Sequence, residues 1–257
     1  ECAVSDYWTG MVTKWFPKHE IRQMAMMFGS QETIHAVAYS YLNETLGLED
    51  YTAFLHEPSM ADKFDFLMST KADYTDKDLL ESKDARKEVA RSLAIFSAFA
   101  EGVSLYSSFA VLYSFQMRNL LKGIGQQMKW SVRDESLHSK MGCRLFNHMC
   151  SEDETLRDDV KESIYEAAKL MVDMEHDYID KIFEMGDIEN LKAVDLKNFI
   201  YRRTNEKLQE LGLDPIFEYD EKSADALDWF YHLTGGHTHT DFFAIRPTDY
   251  AKAGEGD

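Results

Sequence analysis

Glu32-Thr33-Ile34-His35 and Glu135-Ser136-Leu137-His138 are the two segments whose reading decides how this chain folds. Each is a Glu-x-x-His, and each follows a lone glutamate at a similar interval: Glu1 stands 31 residues before Glu32, and Glu101 stands 34 before Glu135. On an α-helix, positions i and i+3 lie about one turn apart on the same face, so Glu32 and His35 reach one point together, as do Glu135 and His138. Such an interval suits an antiparallel helix pair in which side chains at mid-height meet.

One Glu-x-x-His alone reads as a solvated helix face. What changes the reading is the stripe each box falls on. Met24, Phe28, Glu32, His35, Tyr39, Leu42 and Leu46 recur in steps of three and four, and so do Ile124, Met128, Ser131, Glu135, His138, Gly142, Leu145 and Met149. The polar residues therefore lie on the predicted buried face. An ionised carboxylate there costs several kcal/mol or more unless it is protonated, paired with a base or bound to a cation. The facing positions offer more carboxylates rather than bases, so a metal pair fits best. Four helices that deliver Glu1, Glu32, His35, Glu101, Glu135 and His138 to one interior form the ligand arrangement of ferritin-like dimetal proteins. Mixed carboxylate and imidazole ligation suits iron or manganese, whereas zinc sites favour cysteine or more histidine. The expected fold is all-α: a ferritin-like helical bundle, one domain over 1–257, with the metals inside a four-helix core.

Composition agrees. The 257 residues are 44% apolar and 13% aromatic, enough for one sizeable core, and 4 Pro and 13 Gly leave few hairpin signals. A formal net charge of -18 leaves no basic stripe with which to bind nucleic acid. No apolar run approaches the ~20 residues that span a membrane. Cys2, Cys143 and Cys150 form neither a zinc pattern nor an even disulfide framework, which suits idle thiols in the cytoplasm. No secretory leader is evident, and a start on a proposed ligand rather than Met suggests that an upstream segment is missing.

Helices are predicted near 1–15, 18–46, 59–69, 77–118, 121–150, 152–185, 189–211 and 222–233. Gly47 closes the first box helix, Ser151-Glu152-Asp153-Glu154 has the spacing of a capping box, and Gly123 and Gly125 ease the first turn of the second box helix. The segment from Gly235 to Asp257 reads as irregular, with His237 and His239 in a polar loop. Glu175, His176 and Asp177 diverge over a helix surface and read as solvated. Trp8, Trp15, Trp130 and Trp229 read as packing residues. Tyr39, one turn beyond His35, should point its phenol at the metal pair. Gly142 takes the matching place beyond His138, so an oxidisable side chain is expected on one side only.

The string Gln31-Glu32-Thr33-Ile34-His35-Ala36-Val37-Ala38-Tyr39, the segment Ala100-Glu101-Gly102, the box Arg133-Asp134-Glu135-Ser136-Leu137-His138, and Asp241-Phe242-Phe243-Ala244-Ile245-Arg246 with Asp249-Tyr250-Ala251-Lys252-Ala253-Gly254 resemble the beta (small, radical-generating) subunit of class I ribonucleotide reductase. The resemblance runs through nearly the whole chain. It implies an oxidoreductase whose dimetal centre reacts with oxygen or a reduced oxygen species and commonly oxidises a nearby tyrosine to a stable radical. That oxidising equivalent then passes to a large (alpha) subunit that makes deoxyribonucleotides for DNA replication.

By position, the resemblance makes Glu1, Glu32, His35, Glu101, Glu135 and His138 the six ligands. It makes Tyr39 the radical tyrosine and Asp134 the carboxylate that hydrogen-bonds a ligand histidine, here His35, on the electron-transfer route. Leu105 and Phe109 are candidates for an apolar wall beside the metals. The resemblance also implies a homodimer. Glu1 stands where many members have Asp, a trait of subgroups that use manganese, yet Tyr39 is retained where the mixed manganese-iron subgroup usually replaces it. A di-iron centre with a tyrosyl radical and a dimanganese centre both stay open. The family's conduit tryptophan and flexible tail with its relay tyrosine fall outside this sequence, and Tyr250 belongs to the motif before that tail. Two other chemistries suit the same ligands: a ferritin-like oxidase acting on a small molecule or acyl chain, which needs an apolar channel, and a metal-storage protein, which assembles a shell.

Overall fold

A computed structural model describes residues 1–48 and 57–230. The motifs at 241–254, His237 and His239, and the irregular segment from about 235 lie outside the described residues. Eleven α-helices occur among those described: α1 Cys2–Asp6, α2 Thr13–Trp15, α3 His19–Thr45, α4 Pro58–Ser69, α5 Asp76–Glu81, α6 Lys83–Ile95, α7 Tyr106–Met117, α8 Lys122–Glu152, α9 Leu156–Phe183, α10 Ala193–Glu210 and α11 Glu221–Asp225. No β-strand forms among them beyond an isolated bridge between Ile188 and Leu191. The architecture is an all-α, ferritin-like bundle.

Four rods carry the site. The first runs from α1 into α2 through a π-helical segment, Tyr7–Val12. The second is α3, and the third is α6 continued by a π-helical segment, Phe96–Ala100. The fourth is α8, whose face Ile124, Met128, Ser131, Glu135, His138, Gly142, Leu145 and Met149 is buried throughout. On α3, Phe28, Glu32 and His35 are buried, Met24, Tyr39 and Leu42 are half-buried, and Leu46 at the end of the stripe is 47% exposed. Gly47 closes α3 in the left-handed region (φ 69°), and Leu48 donates its N–H back to the Asn43 carbonyl, as a glycine-terminated helix end requires.

Several expected boundaries differ. The helix predicted over 77–118 is three. Ser82 leaves the helical region (φ -129°, ψ 122°) and its hydroxyl caps α6 by accepting from the Ala85 N–H. After Ala100 the chain unwinds through 101–105 before α7 begins. The expected capping box at Ser151 does not form, because α8 runs on to Glu152. The Ser151 hydroxyl instead donates back to the His148 carbonyl, and Asp153 accepts from the Thr155 N–H and hydroxyl as α9 opens. The last predicted helix, 222–233, appears as Glu221–Asp225, and its final residues, 231–233, lie outside the described ones.

Side-chain placement corrects two further expectations. Glu175 is fully buried rather than solvated: Lys63 of α4 pairs with it, and the Ser107 hydroxyl of α7 donates to it at 2.5 Å. Trp130 is 61% exposed and packs nothing away. Trp8 and Trp15 are buried, and Trp229 stacks on Tyr113.

Candidate metal centre

Close backbone approach sets the site. A Cβ on Gly102 would meet the Ala98 carbonyl and the Ser139 hydroxyl, and a Cβ on Gly142 would collide with Ser97. Two glycines therefore let the third rod lie hard against α8 just where Glu101 turns inward. Gly142 matches Tyr39 in the repeat because this contact leaves room for no side chain there. In the π-helical segment the Glu101 N–H reaches the Phe96 carbonyl five residues back, a local widening that recurs at functional sites.

With one atom from each residue, Glu1, Glu32, His35 and Glu135 converge to within 4.8 Å of one another, and Glu32, Glu101, Glu135 and His138 do the same. Glu32 and Glu135 belong to both groups, so the geometry is that of two adjacent cation sites sharing two carboxylates. Five of the six residues are buried and Glu1 is partly so. His35 Nδ1 lies 3.4 Å from Glu32 and 3.1 Å from Glu135. His138 Nδ1 lies 2.7 Å from Glu32, 3.4 Å from Glu135 and 3.6 Å from Glu101. Yet both Nδ1 atoms and both Glu32 oxygens are buried without a hydrogen-bond partner. Buried polar atoms are rarely left so, and inward lone pairs from carboxylate and imidazole are the donors that a hard or borderline divalent cation takes. The residues therefore fit a dinuclear metal centre.

The electrostatics agree. Burial pushes His35 down, but Asp134, Glu135 and Glu32 outweigh it and hold the imidazole up at about 12. Glu101, Glu135 and Glu32 do the same to His138, also about 12. Burial pushes Glu1 up to about 8, and burial with Glu135 beside it pushes Glu101 well above the usual carboxylate range. For Glu32, burial is outweighed by His138 and His35, and for Glu135 by Glu101 and the two imidazoles, so both lie low. A point where protons are held that tightly is one where positive charge is strongly stabilised.

Both imidazoles turn Nε2 outward. Asp134 Oδ2 stands 3.2 Å from His35 Nε2, and Gln31 Oε1 stands 3.0 Å from His138 Nε2. Sequence reasoning missed the role of Gln31, although a signal existed: Gln31 precedes Glu32 as Asp134 precedes Glu135, so the residue just before each box reaches the other box's histidine. The Tyr39 ring lies 6.3 Å from the His35 ring, and its hydroxyl donates to Ser131 Oγ at 2.7 Å. Burial, then Glu1, Glu135 and Glu32, keep that phenol protonated.

The expectation of one oxidisable neighbour is corrected. Trp8, fully buried, donates its indole N–H to Glu101 Oε1 at 2.6 Å on the opposite flank. Phe109 is buried with its ring 5.7 Å from Tyr106, and Leu105 is half-buried at the N-terminus of α7.

Residues 1–224 match the family model described as ribonucleotide reductase, small chain. A probable ribonucleoside-diphosphate reductase small subunit of Invertebrate iridescent virus 3 is 36% identical over 248 residues, covering 93% of this chain and 65% of that protein. The counterpart from Invertebrate iridescent virus 6 is 31% identical over 273 residues, covering 93% and 75%. The chain thus spans roughly two thirds to three quarters of these relatives' length. Among solved structures, a putative class I ribonucleotide reductase from Bacillus halodurans superposes with a TM-score of 0.71 at 18% identity, covering 88% of this chain and 80% of that one. The dimanganese(II)-NrdF of Streptococcus sanguinis gives 0.65 at 20% identity, covering 86% and 72%. These two similarities establish the fold.

Proposed function

This chain belongs to the ribonucleotide reductase small-chain family, and from that premise we propose that it is the radical-generating subunit of a class I ribonucleoside-diphosphate reductase. The observation that carries the reading is the pair of inward Nδ1 atoms that crowd against two shared carboxylates without a formed hydrogen bond to them. Glu1 and His35 would hold one metal and Glu101 and His138 the other, with Glu32 and Glu135 available to both. When bound, the metal pair supplies one-electron oxidising power derived from an oxygen species. The ligand set suits iron or manganese, and the choice between them depends on metal supply and small differences of geometry.

The remaining steps belong to the protein. Asp134 and Gln31 fix the ring orientation of His35 and His138 and raise their basicity. Tyr39 is the radical store: its protonated phenol points into the interior beside the centre and would give up an electron together with its hydroxyl proton, the proton leaving through the Ser131 hydroxyl that accepts from it and passes its own proton on. Helical packing on the other sides keeps water from a radical formed there. The stored equivalent passes to a large (alpha) subunit, where nucleotide reduction occurs. Three free thiols suit a reducing cytoplasm, and no helix among the described residues is long and apolar enough to cross a membrane. The subunit works as a homodimer, joined through the uncharged outer face of α3.

Loading with iron(II) or manganese(II) separately, followed by oxygen or superoxide, electron paramagnetic resonance and metal quantification, tests this reading. Two metals per chain and a signal that vanishes in Tyr39→Phe are expected. A full signal in that variant removes Tyr39 from its role, and full metal occupancy in Glu135→Ala removes the ligand assignment.

A further inference from the structure

A buried cation stands one peptide away from Glu101. Arg203 of α10 donates from Nε to the Gly102 carbonyl at 2.5 Å. That carbonyl needs a donor from outside the backbone. A regular helix would give it the Tyr106 N–H, but where the chain unwinds through 101–105 that N–H turns to the Val103 carbonyl instead. Arg203 supplies the missing bond. Its guanidinium carbon also lies 3.2 Å from the centroid of the Tyr106 ring, and the Tyr106 hydroxyl meets Ser136 Oγ at 2.8 Å, inside the second Glu-x-x-His. One side chain therefore reaches Glu101 by one arm and the box of Glu135 and His138 by the other. A buried cation is costly to keep without a carboxylate beside it. Lys207, one turn along the same face of α10, pairs with Glu210, and Lys63 pairs with Glu175. Among the described residues Arg203 has a carbonyl and a ring instead.

We propose that Arg203 is a positioning residue for the metal held by Glu101 and His138. This rests on the reading above, in which those two residues share a metal. A ligand binds well only when the groups behind it fix its direction, and the unwound 101–105 segment lacks the regular hydrogen bonds that would do so. Gly102 offers no side chain by which the segment could be held, because a Cβ there would meet Ala98, Ser139 and Lys207. The peptide carbonyl is the handle. Arg203 grips it and fixes the peptide that follows Glu101, while Tyr106 and Ser136 hold the second box from behind. Lys63 acts farther from the ligand, at the Ser104 carbonyl. His35 is steered from elsewhere, by Asp134. Arg203 therefore sets the affinity of one metal of the pair and leaves the metal between Glu1 and His35 alone.

The test compares two substitutions of matched length in the full chain. Glutamine carries its amide nitrogen as many bonds from Cα as arginine carries Nε, and methionine carries a methyl group there. Arg203→Gln therefore keeps a donor for the Gly102 carbonyl, and Arg203→Met removes it. Both variants, checked for folding by circular dichroism, are titrated with manganese(II) against a chelator, and electron paramagnetic resonance distinguishes a lone ion from a coupled pair. Arg203→Met is expected to weaken one metal by roughly 10-fold or more and leave the other unchanged, and Arg203→Gln to restore most of the loss. Ligand variants identify the metal: Arg203→Met/His35→Ala should hold no tight metal, whereas Arg203→Met/His138→Ala should still hold one. A merely structural Arg203 would lower the melting temperature of the metal-free chain without separating the two affinities. Should Arg203→Met fail to fold, Ser136→Ala decides, because it cuts the second arm at a half-buried hydroxyl. Weaker binding of the same metal alone is expected there, and wild-type affinity for both overturns the proposal. Equal weakening of both metals in Arg203→Met, two tight metals in that variant, or no recovery with glutamine overturns it too. A wild-type chain that takes up fewer than two metals overturns the function on which the proposal rests as well.

Discussion

Gln31 and Asp134 show how much of a candidate metal site lies one residue outside its proposed ligands. Each sits immediately before a shared glutamate and reaches across to the histidine of the other box, so the two boxes clamp each other. Such partners typically change metal affinity by roughly 10–100-fold. Gln31→Leu should therefore weaken the metal held by Glu101 and His138, and Asp134→Leu the one held by Glu1 and His35, as read by chelator competition. Equal loss from both sites in both variants would break the pairing. Loading should also release protons. In the metal-free chain the two imidazoles, held up at about 12, and Glu1, at about 8, carry protons at neutral pH that ligation displaces. Metal affinity therefore rises with pH across the neutral range, and calorimetry in buffers of different ionisation enthalpy should count at least the two imidazolium protons. Proton-neutral binding at pH 7 contradicts it. Helical period put Glu32, His35, Tyr39, Glu135 and His138 on an apolar stripe, the 31- and 34-residue intervals added Glu1 and Glu101, and Asp134 came from the family resemblance alone. Trp8 was not legible, since an indole on such a stripe looks like core until its N–H is seen to have a partner.

Between the residues and the bundle stand elements that periodicity describes poorly. The 77–118 stretch has unbroken helical composition, yet it must stop at Ser82 and widen at Phe96–Ala100 to turn Glu101 inward. Neither event leaves a mark in hydrophobic spacing: the first depends on a serine hydroxyl, the second on a contact with α8 that only Gly102 and Gly142 allow. The rods α3 and α8, by contrast, were legible almost to the residue because their apolar stripes continue through the ligands. The unwound 101–105 segment is braced from behind. Lys63 of α4, buried, pairs with Glu175 of α9 and donates to the Ser104 carbonyl at 3.1 Å, and Ser107 donates to Glu175. Removing one partner of a buried pair costs about 3–5 kcal/mol, because the other charge is stranded. Lys63→Met should lower the denaturant midpoint accordingly at fixed metal concentration, and Lys63→Met/Glu175→Leu should recover most of it. If the double variant is no better than the single, the pair is not what braces this segment.

For the molecule as a whole, charge distribution decides how copies meet. With a formal net charge of -18, two copies repel wherever their ordinary surfaces come together. One surface escapes that penalty. From Gln23 to Asn43, α3 has no Lys, Arg or Asp, and its one Glu, Glu32, is buried. Along the same helix Met27, Ile34, Val37 and Tyr41 are 63–70% exposed, an apolar stripe opposite the ligands. Contiguous exposed apolar surface of this kind marks an association site, and a two-fold axis through it would set uncharged face against uncharged face. The described chain is expected to sediment as a dimer at micromolar concentration. Ile34→Glu/Val37→Glu puts two charges of the molecule's own sign into each face and should yield a monomer. Glu32 and His35 point the other way, so two metals per chain should still bind. A wild-type chain that sediments as a monomer when fully loaded, or a double variant that remains dimeric, would move the interface elsewhere on the bundle. Loss of metal together with the dimer would instead mean that the second copy holds α3 in the register the site needs.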